Sequence, residues 1–206
     1  MSKKLLTEFF ELCKDGICQD LLTEREKREV TNGAVYLSGR IQAADTPNGN
    51  GRVYPKRVLE KEIKNYMKIV NDNRATGELD HPEDSVVNLK NVSHLMVDVW
   101  WQGNDVMGKM KVLDTPSGRI LKDLMNAGVK LGISSRGLGT VKEGRDGHAI
   151  VEEDFQLICF DIVSEPSTPG AFVQPDSKRS MSNMRTAMKE NKQNQIHNLF
   201  DKILRD

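Results

Sequence analysis

Two periods of apolar side chains divide the chain into predicted strands and predicted helices. Alternation with a period of two predicts a strand over about residues 35–44, and two further runs around Gly103-Asn104-Asp105 predict a β-hairpin over residues 92–113. A second turn signal, Gly144-Arg145-Asp146-Gly147, precedes an apolar run from about Ala149 to Val163, which we interpret as one long strand of a second hairpin. The chain is therefore predicted to consist mainly of antiparallel strands.

Helical spacing of apolar residues recurs in four places. Pro55 and Thr115-Pro116 are typical helix starts, and Gly128 is a typical helix end. The predicted buried residues of these two helices are Val58, Leu59, Ile63, Tyr66 and Met67 in the first, and Ile120, Leu121 and Leu124 in the second. Two further stripes predict terminal helices: Leu5, Leu6, Phe9, Phe10 and Leu12, and then Ile196, Leu199, Phe200, Ile203 and Leu204.

The segment that follows Gly128 is predicted to be a strand with two different faces. Alternation places Leu131, Ile133 and Ser135 on one face, and Gly132, Ser134 and Arg136 on the other. Because the first set is the more apolar, we expect it to face the core. Ser134 is then expected to face outward beside Gly132, where a substrate backbone can approach, while Ser135 bonds the local backbone.

Length and composition fit one domain with a tail at each end. We divide the 206 residues into an N-terminal tail over 1–30, a folded domain over 31–175, and a linker with a C-terminal amphipathic helix over 176–206. The 30 basic and 30 acidic side chains balance, which gives no reason to expect nucleic acid or a membrane as the partner. Three cysteines and the lack of a long apolar run favour a soluble protein in a reducing, cytoplasmic compartment.

A turn histidine and a strand serine together offer the chemistry of acyl transfer. His81 precedes Pro82, which favours an extended backbone and so restricts where the imidazole points. A serine hydroxyl such as that of Ser134 becomes an effective nucleophile when an imidazole removes its proton. Taken singly, the two residues are more simply a surface histidine and a strand-end serine. The other histidines are His94, His148 and His197, of which the first two are alternative bases.

A carboxylate interrupts the most apolar predicted strand. Asp161 lies within Leu157-Ile158-Cys159-Phe160-Asp161-Ile162-Val163, and a buried carboxylate needs a partner. Two interpretations stand side by side: the acid that orients the imidazole of a serine triad, or half of a structural ion pair with Arg136 or Arg40.

Arg136 and Gly137 directly follow the two serines. Their backbone amides or the guanidinium are candidate donors to an oxyanion, and an exposed arginine is the simpler alternative. No cysteine–histidine group has metal-ligand spacing, and the Asn48-Gly49-Asn50-Gly51 loop does not match a phosphate loop. We therefore predict no metal, nucleotide or other cofactor.

Four motifs in one order resemble a known family. They are GELDHP, VDVWWQGNDVMGKMKVL, GISSRGLGTV and FDIVSEPSTPGAFV, and the resemblance covers about residues 34–175. This set resembles the prohead core proteases of T-even-type tailed bacteriophages, which are related to the herpesvirus assembly proteases. The resemblance implies an α+β, mainly β fold, namely a herpesvirus-protease-like antiparallel β-barrel with surrounding helices, and a serine endopeptidase activity.

The resemblance also implies roles for individual residues. The family's histidine falls on His81 and its nucleophile on Ser134, while the third member falls on Asp161, where herpesvirus relatives use a second histidine. Such proteases act inside the assembling prohead in the host cytoplasm and cleave scaffold and major capsid proteins after glutamate in an apolar-x-Glu context. They also cleave themselves, which makes Glu8 and Glu24 candidate self-cleavage sites.

Two other functional classes compete with the protease, and the sequence leaves open whether the chain forms a homo-oligomer. The first is a non-catalytic prohead scaffold or assembly protein on the same fold, in which the barrel and its two terminal helices act only as scaffold or tube-forming surfaces. The second is a hydrolase of small esters, which would need a closed pocket. The presence of serine, histidine and acid together favours the protease.

Overall fold

The computed structural model describes residues 4–10, 22–82, 84–129, 131–144 and 146–164. The predicted linker, the C-terminal helix with His197, and two cysteines, Cys13 and Cys18, lie outside these residues. The described elements are β1 (Lys4–Phe10), α1 (Glu24–Thr31), β2 (Val35–Ala43), β3 (Arg52–Val53), α2 (Lys56–Asn71), β4 (Thr76–Glu78), β5 (Val92–Gln102), β6 (Asp105–Val112), α3 (Pro116–Asn126), β7 (Gly132–Gly139), β8 (Val141–Glu143), β9 (Ala149–Val151) and β10 (Gln156–Val163).

The predicted hairpin forms the centre of a four-stranded sheet with the order β2-β6-β5-β4. β5 and β6 pair antiparallel from His94↔Val112 to Gln102↔Asp105, and Gly103 has a φ of 66°, a backbone conformation that favours glycine in the tight turn. Met96 and Met110, which are cross-strand partners, are fully buried. The strand over 35–44 and the hairpin over 92–113 are thus confirmed.

A three-stranded sheet with the order β1-β7-β10 carries the serine strand in its middle. The helix predicted from Leu5 to Leu12 is wrong over Lys4–Phe10, because this segment pairs antiparallel with β7 along its whole length. Seven residues are too few to hold a helix without tertiary support. The hydrogen-bonding edge of β7 supplies backbone partners that a local apolar spacing does not reveal.

The third sheet has the order β3-β9-β8, and it explains why the prediction of one long strand after Gly147 is wrong. The single strand predicted from Ala149 to Val163 is two strands, because β9 pairs with β3 and β8 whereas β10 pairs with β7. A turn closed by the Phe155 amide and the Glu152 carbonyl separates them. Phe155 then packs edge-on against Tyr54, with ring centroids 5.3 Å apart, so the turn itself belongs to the core.

Helices α2 and α3 start where the sequence predicts and bury most of the predicted faces. Pro55 lies at the N-cap of α2, and the Thr115 hydroxyl accepts a hydrogen bond from the Gly118 amide at 3.0 Å. The prediction that Ile120 is buried is wrong, since 52% of its surface is exposed while Leu121 is fully buried. A Cβ on Gly118 would lie 1.9 Å from the Leu113 carbonyl oxygen, so α3 approaches the hairpin through its Gly118 side.

Helix α1 joins the domain through ion pairs with β6. Its N-terminus is a capping box between Thr23 and Glu26. Glu26 accepts from Lys109 at 2.8 Å, and Glu29 pairs with Lys111. The mainly β, α+β class is confirmed, and the described strands form three sheets. None of the described helices is long and apolar enough to cross a membrane.

Candidate active site

The pairing of β7 with β10 brings the candidate serine and the candidate acid side by side. Ser134 is the direct cross-strand partner of Asp161. Both residues are fully buried, so the expectation that Ser134 faces outward is wrong: β7 is covered on both faces. Ser135 is expected to bond the local backbone, but its hydroxyl instead accepts a hydrogen bond from Nε2 of the Gln42 side chain at 2.9 Å.

His81 reaches the same place through the segment that follows β4. Leu79 forms a parallel bridge with Ile162 of β10, and the Asp80 amide donates to the Ile162 carbonyl at 2.7 Å. Asp80 has a φ of 71°, a conformation that asparagine and aspartate tolerate better than most side chains. The chain therefore turns sharply at Asp80, directly before His81.

Gly77 permits this approach of β4 to β10. A Cβ at this position would lie 2.0 Å from the Phe160 carbonyl oxygen and 2.3 Å from Nε2 of His94. Any other residue would push β4 away from β10. The glycine of the GELDHP motif thus has a steric reason, and the motif acts as one structural unit.

The imidazole of His81 is hydrogen-bonded to the candidate acid. Its Nδ1 lies 2.9 Å from Oδ2 of Asp161, and its side chain is 18% exposed. Because an ionised carboxylate only accepts, Nδ1 carries the proton and Nε2 of the neutral ring is left as a base. This is the geometry by which an acid fixes the tautomer of a catalytic histidine.

Asp161 is held by several donors at once. Burial alone raises the pKa of Asp161, but hydrogen bonds from His81 and from the Glu78 amide, together with the Arg136 charge, hold it below its usual value. The Glu78 amide donates to Oδ1 at 3.0 Å, and the Cys159 thiol lies 3.3 Å from the same oxygen. Asp161 is therefore a charged acceptor at neutral pH.

The guanidinium of Arg136 lies behind the carboxylate and is fully buried, so the exposed-arginine alternative is wrong. Nε lies 2.9 Å from Oδ2 of Asp161, Nη2 lies 2.8 Å from Oε1 of Glu78, and Nη1 donates to the Asp84 carbonyl at 2.8 Å. The ion pair of Asp161 with Arg136 is confirmed, and the same carboxylate also binds the imidazole of His81, while its role as a triad acid stays a prediction. Arg40 was the other candidate partner of Asp161, and its Nη1 lies 3.5 Å from Oδ1 of Asp105.

The remaining histidines occupy different surroundings. His94 is fully buried: its Nε2 donates to the Phe160 carbonyl at 3.0 Å, and its Nδ1 accepts from the Ser93 hydroxyl at 2.9 Å. Burial lowers the pKa of His94 to about 4. Both ring nitrogens of His94 are thus engaged, Nε2 with β10 and Nδ1 with its neighbour on β5. His148 lies beside the β8–β9 turn in the third sheet.

The serine and the histidine do not bond each other in this state. The hydroxyl oxygen of Ser134 and Nε2 of His81 are both buried, and neither has a hydrogen-bond partner among the described residues. Buried polar atoms without partners are costly and are concentrated at functional sites. The sequence predicts no role for Glu78, although this acid lies inside the GELDHP motif, three residues before His81. Among the described residues, no group of three His, Cys, Asp or Glu side chains has the geometry to hold a metal.

A mainly β fold with a hydrogen-bonded histidine–aspartate pair next to a strand serine is typical of a serine hydrolase. Comparison with known proteins places the chain more narrowly. It belongs to the prohead core protein serine protease family, whose model matches residues 16–182. It is 40% identical over 145 residues to the prohead core protein protease of Enterobacteria phage T4. The aligned region covers 68% of each protein. The structure of the bacteriophage T4 capsid assembly protease matches with a TM-score of 0.65 and 31% identity, covering 80% of this chain and 99% of that one.

Proposed function

We propose that this protein is a serine endopeptidase of the viral prohead, with Ser134 as nucleophile, His81 as general base and Asp161 as the acid that orients the imidazole. The observation that carries the proposal is the 2.9 Å bond between His81 Nδ1 and Asp161, on the strand directly paired with that of Ser134. Membership of a serine protease family supports the same roles.

The steps follow from the protonation states. Nε2 of His81 takes the proton of Ser134 as the hydroxyl oxygen attacks the peptide carbonyl, and Asp161 stabilises the imidazolium that forms. His81 then gives that proton to the leaving amine, and water releases the acyl-enzyme. Because the Arg136 guanidinium is committed to Glu78 and Asp161, the backbone amides near Arg136 and Gly137 are the proposed oxyanion donors.

The resting geometry requires one adjustment before catalysis. Within the part of the chain that the structure describes, Ser134 Oγ and His81 Nε2 have no hydrogen-bond partner, so activation must bring the two atoms within hydrogen-bond distance. A bond between them would satisfy two buried polar atoms at once. Catalytic hydrogen bonds are often loose in a free enzyme and tighten when substrate is bound.

The neighbouring serines provide a matched test. Ser134→Ala is expected to abolish cleavage of prohead proteins and fluorophosphonate labelling, while the circular dichroism spectrum stays unchanged. Ser135→Ala is the control, because it removes a buried hydroxyl bonded to Gln42 from the same strand and should retain the nucleophile. Cleavage by Ser134→Ala at the wild-type rate would refute the assignment.

The proposed substrates are prohead scaffold and capsid proteins cut after glutamate in an apolar-x-Glu context, inside the prohead, together with the chain itself. The names of the T4 relatives, a prohead core protein protease and a capsid assembly protease, support this location and these substrates. Glu8 and Glu24 are the proposed self-cleavage sites. Glu8 lies in β1, the strand paired with that of Ser134, where its partner is Ser135.

Mass spectrometry of purified active protein tests self-cleavage directly. We expect N-termini at Phe9 or Arg25 in the wild type and an intact chain in Ser134→Ala. Glu8→Gln and Glu24→Gln assign each cut to its site. A wild-type protein that is active on prohead substrates and keeps its full N-terminus would exclude self-processing at both positions.

The alternative of a non-catalytic scaffold protein makes the opposite prediction for the serine. A scaffold protein would not react with a fluorophosphonate and would tolerate Ser134→Ala during capsid assembly.

The closed herpesvirus-protease-like barrel implied by the resemblance stays a prediction, since the described strands are paired in three sheets.

A further inference from the structure

A buried ion cluster lies directly behind the histidine–aspartate pair. Glu78, Arg136 and Asp161 are all fully buried, and Arg136 contacts both carboxylates: Nη2 lies 2.8 Å from Oε1 of Glu78, and Nε lies 2.9 Å from Oδ2 of Asp161. Nη2 also lies 3.3 Å from Oδ1 of Asp161, so the guanidinium meets that carboxylate side-on. The cluster ends at His81, which shares the Oδ2 atom.

Glu78 is an expensive residue to bury at this position. Its Oε1 accepts from Arg136 and from the Asn88 amide at 2.9 Å, while its Oε2 is buried with no partner among the described residues. Removing a carboxylate from water costs several kcal/mol, and a single ion pair often fails to recover that cost. The stability of the fold therefore does not explain why Glu78 is buried at this position. A role of its charge in the site explains the burial better.

The charges of the cluster do not cancel while the imidazole is neutral. Two carboxylates and one guanidinium leave one net negative charge behind a neutral His81. When His81 takes a proton, the four side chains together become neutral. Without Glu78, the same protonation would leave a net positive charge in a water-excluded site, which is unfavourable.

We propose that Glu78 is a positioning residue of the catalytic centre, which acts through Arg136 to hold Asp161 on His81 and supplies the negative charge that balances the imidazolium. The proposal rests on the proposed function, because it requires His81 to be the base. Glu78 does not touch the reacting atoms: its side chain accepts from Arg136 and from the Asn88 amide, and its backbone amide donates to Asp161.

Glu78→Gln isolates the charge from the geometry. Glutamine keeps a carbonyl oxygen to accept from Arg136 and Asn88, so the variant is expected to fold. We expect kcat for a peptide substrate to fall about tenfold with KM unchanged, and the acid limb of the kcat/KM–pH profile to move down by about one pH unit. This is the effect of a unit charge on the order of 10 Å away at an effective dielectric constant of about 20.

A second buried carboxylate, Glu62 of helix α2, provides a matched control. Glu62 is also a buried carboxylate bonded to β10, because its Oε2 accepts from the Leu157 amide at 3.0 Å. Glu62→Gln therefore removes a comparable buried charge whose contacts are Lys61, Asn65 and the Leu157 amide rather than Arg136 or His81. Its pH profile should coincide with that of the wild type, and an equal shift in both variants would overturn the proposal.

A variant that changes the net charge of the cluster in the opposite direction makes the test sharper. Arg136→Met leaves the cluster one unit more negative and should move the acid limb to higher pH, whereas Glu78→Gln/Arg136→Met restores the original net charge and should return the limb towards its wild-type position. A purely structural role would lower the fraction of active enzyme, measured by fluorophosphonate titration, without shifting the limb. If Arg136→Met fails to fold, Glu78→Gln and its Glu62 control decide the question.

The outcomes separate this inference from the proposed function. An inactive Ser134→Ala together with a wild-type pH profile for Glu78→Gln would overturn the role of Glu78 and leave the triad intact. A fully active Ser134→Ala would instead refute the triad.

Discussion

Acidification from pH 7 to pH 5 is expected to destabilise this protein through His94. Its imidazole is fully buried between the Ser93 hydroxyl and the Phe160 carbonyl, and burial lowers its pKa from 6.5 to about 4. The unfolded chain therefore binds a proton over a range in which the folded chain does not. Stability linked to His94 is full above about pH 6.5, falls as the pH drops, and is lost by about pH 4.

The size of the effect follows from the two pKa values. Linkage gives a loss of about 2 kcal/mol between pH 7 and pH 5, and about 3 kcal/mol by pH 4. The interval from pH 7 to pH 5 is the cleaner window, because Asp161, whose pKa is held below its usual value, begins to lose its own contribution only near pH 4.

Urea unfolding followed by the fluorescence of Trp100 and Trp101 measures this loss. His94→Gln removes the titrating ring, and its free energy of unfolding should decline by about 2 kcal/mol less than that of the wild type between pH 7 and pH 5. His148→Gln, at a half-exposed histidine beside a surface turn, is the matched control. Equal pH dependence in wild type and His94→Gln would refute the reasoning.

Four further variants test the site and the packing. Asp161→Asn should lower kcat by about 10³ to 10⁴ with little change in KM, since the amide no longer fixes the imidazole; steady-state peptide cleavage measures this. Gly77→Ala would place a Cβ 2.0 Å from the Phe160 carbonyl oxygen, so we expect both lower activity and a loss of about 2 kcal/mol or more in urea unfolding. Leu121→Ala should cost about 3 kcal/mol in the same assay, whereas Ile120→Ala, exposed on the same helix, should stay within about 0.5 kcal/mol of wild type.

Patterns that depend on neighbours in the chain predicted the local elements well. The β5–β6 hairpin, the Thr115 cap and the start of α2 follow from turn residues, alternation and capping, which act over a few residues. The same rules failed where a distant strand decided the outcome. Lys4–Phe10 has helical spacing, yet it forms a strand because β7 offers its backbone an edge.

The candidate site also has features that the sequence predicts and features that depend on distant strands. The sequence identified His81, Ser134 and Asp161 as candidates from their chemistry, and identified Asp161 because a carboxylate within an apolar strand must find a partner. The sequence allowed either an imidazole or an arginine as the partner of Asp161. In the structure, the Asp161 carboxylate contacts both. No spacing rule connects residue 81 with residue 161, because their contact depends on the β4–β10 approach that Gly77 permits.

The sequence by itself determined the strand-rich class of this protein, its family resemblance and the chemical types in its site. Only the tertiary structure decided that Arg136 is buried behind Asp161, that Glu78 joins the cluster, and that Ser134 lies enclosed without a bond to His81. The physical reason is that propensity and periodicity act between neighbours, whereas burial and charge pairing depend on which strands meet.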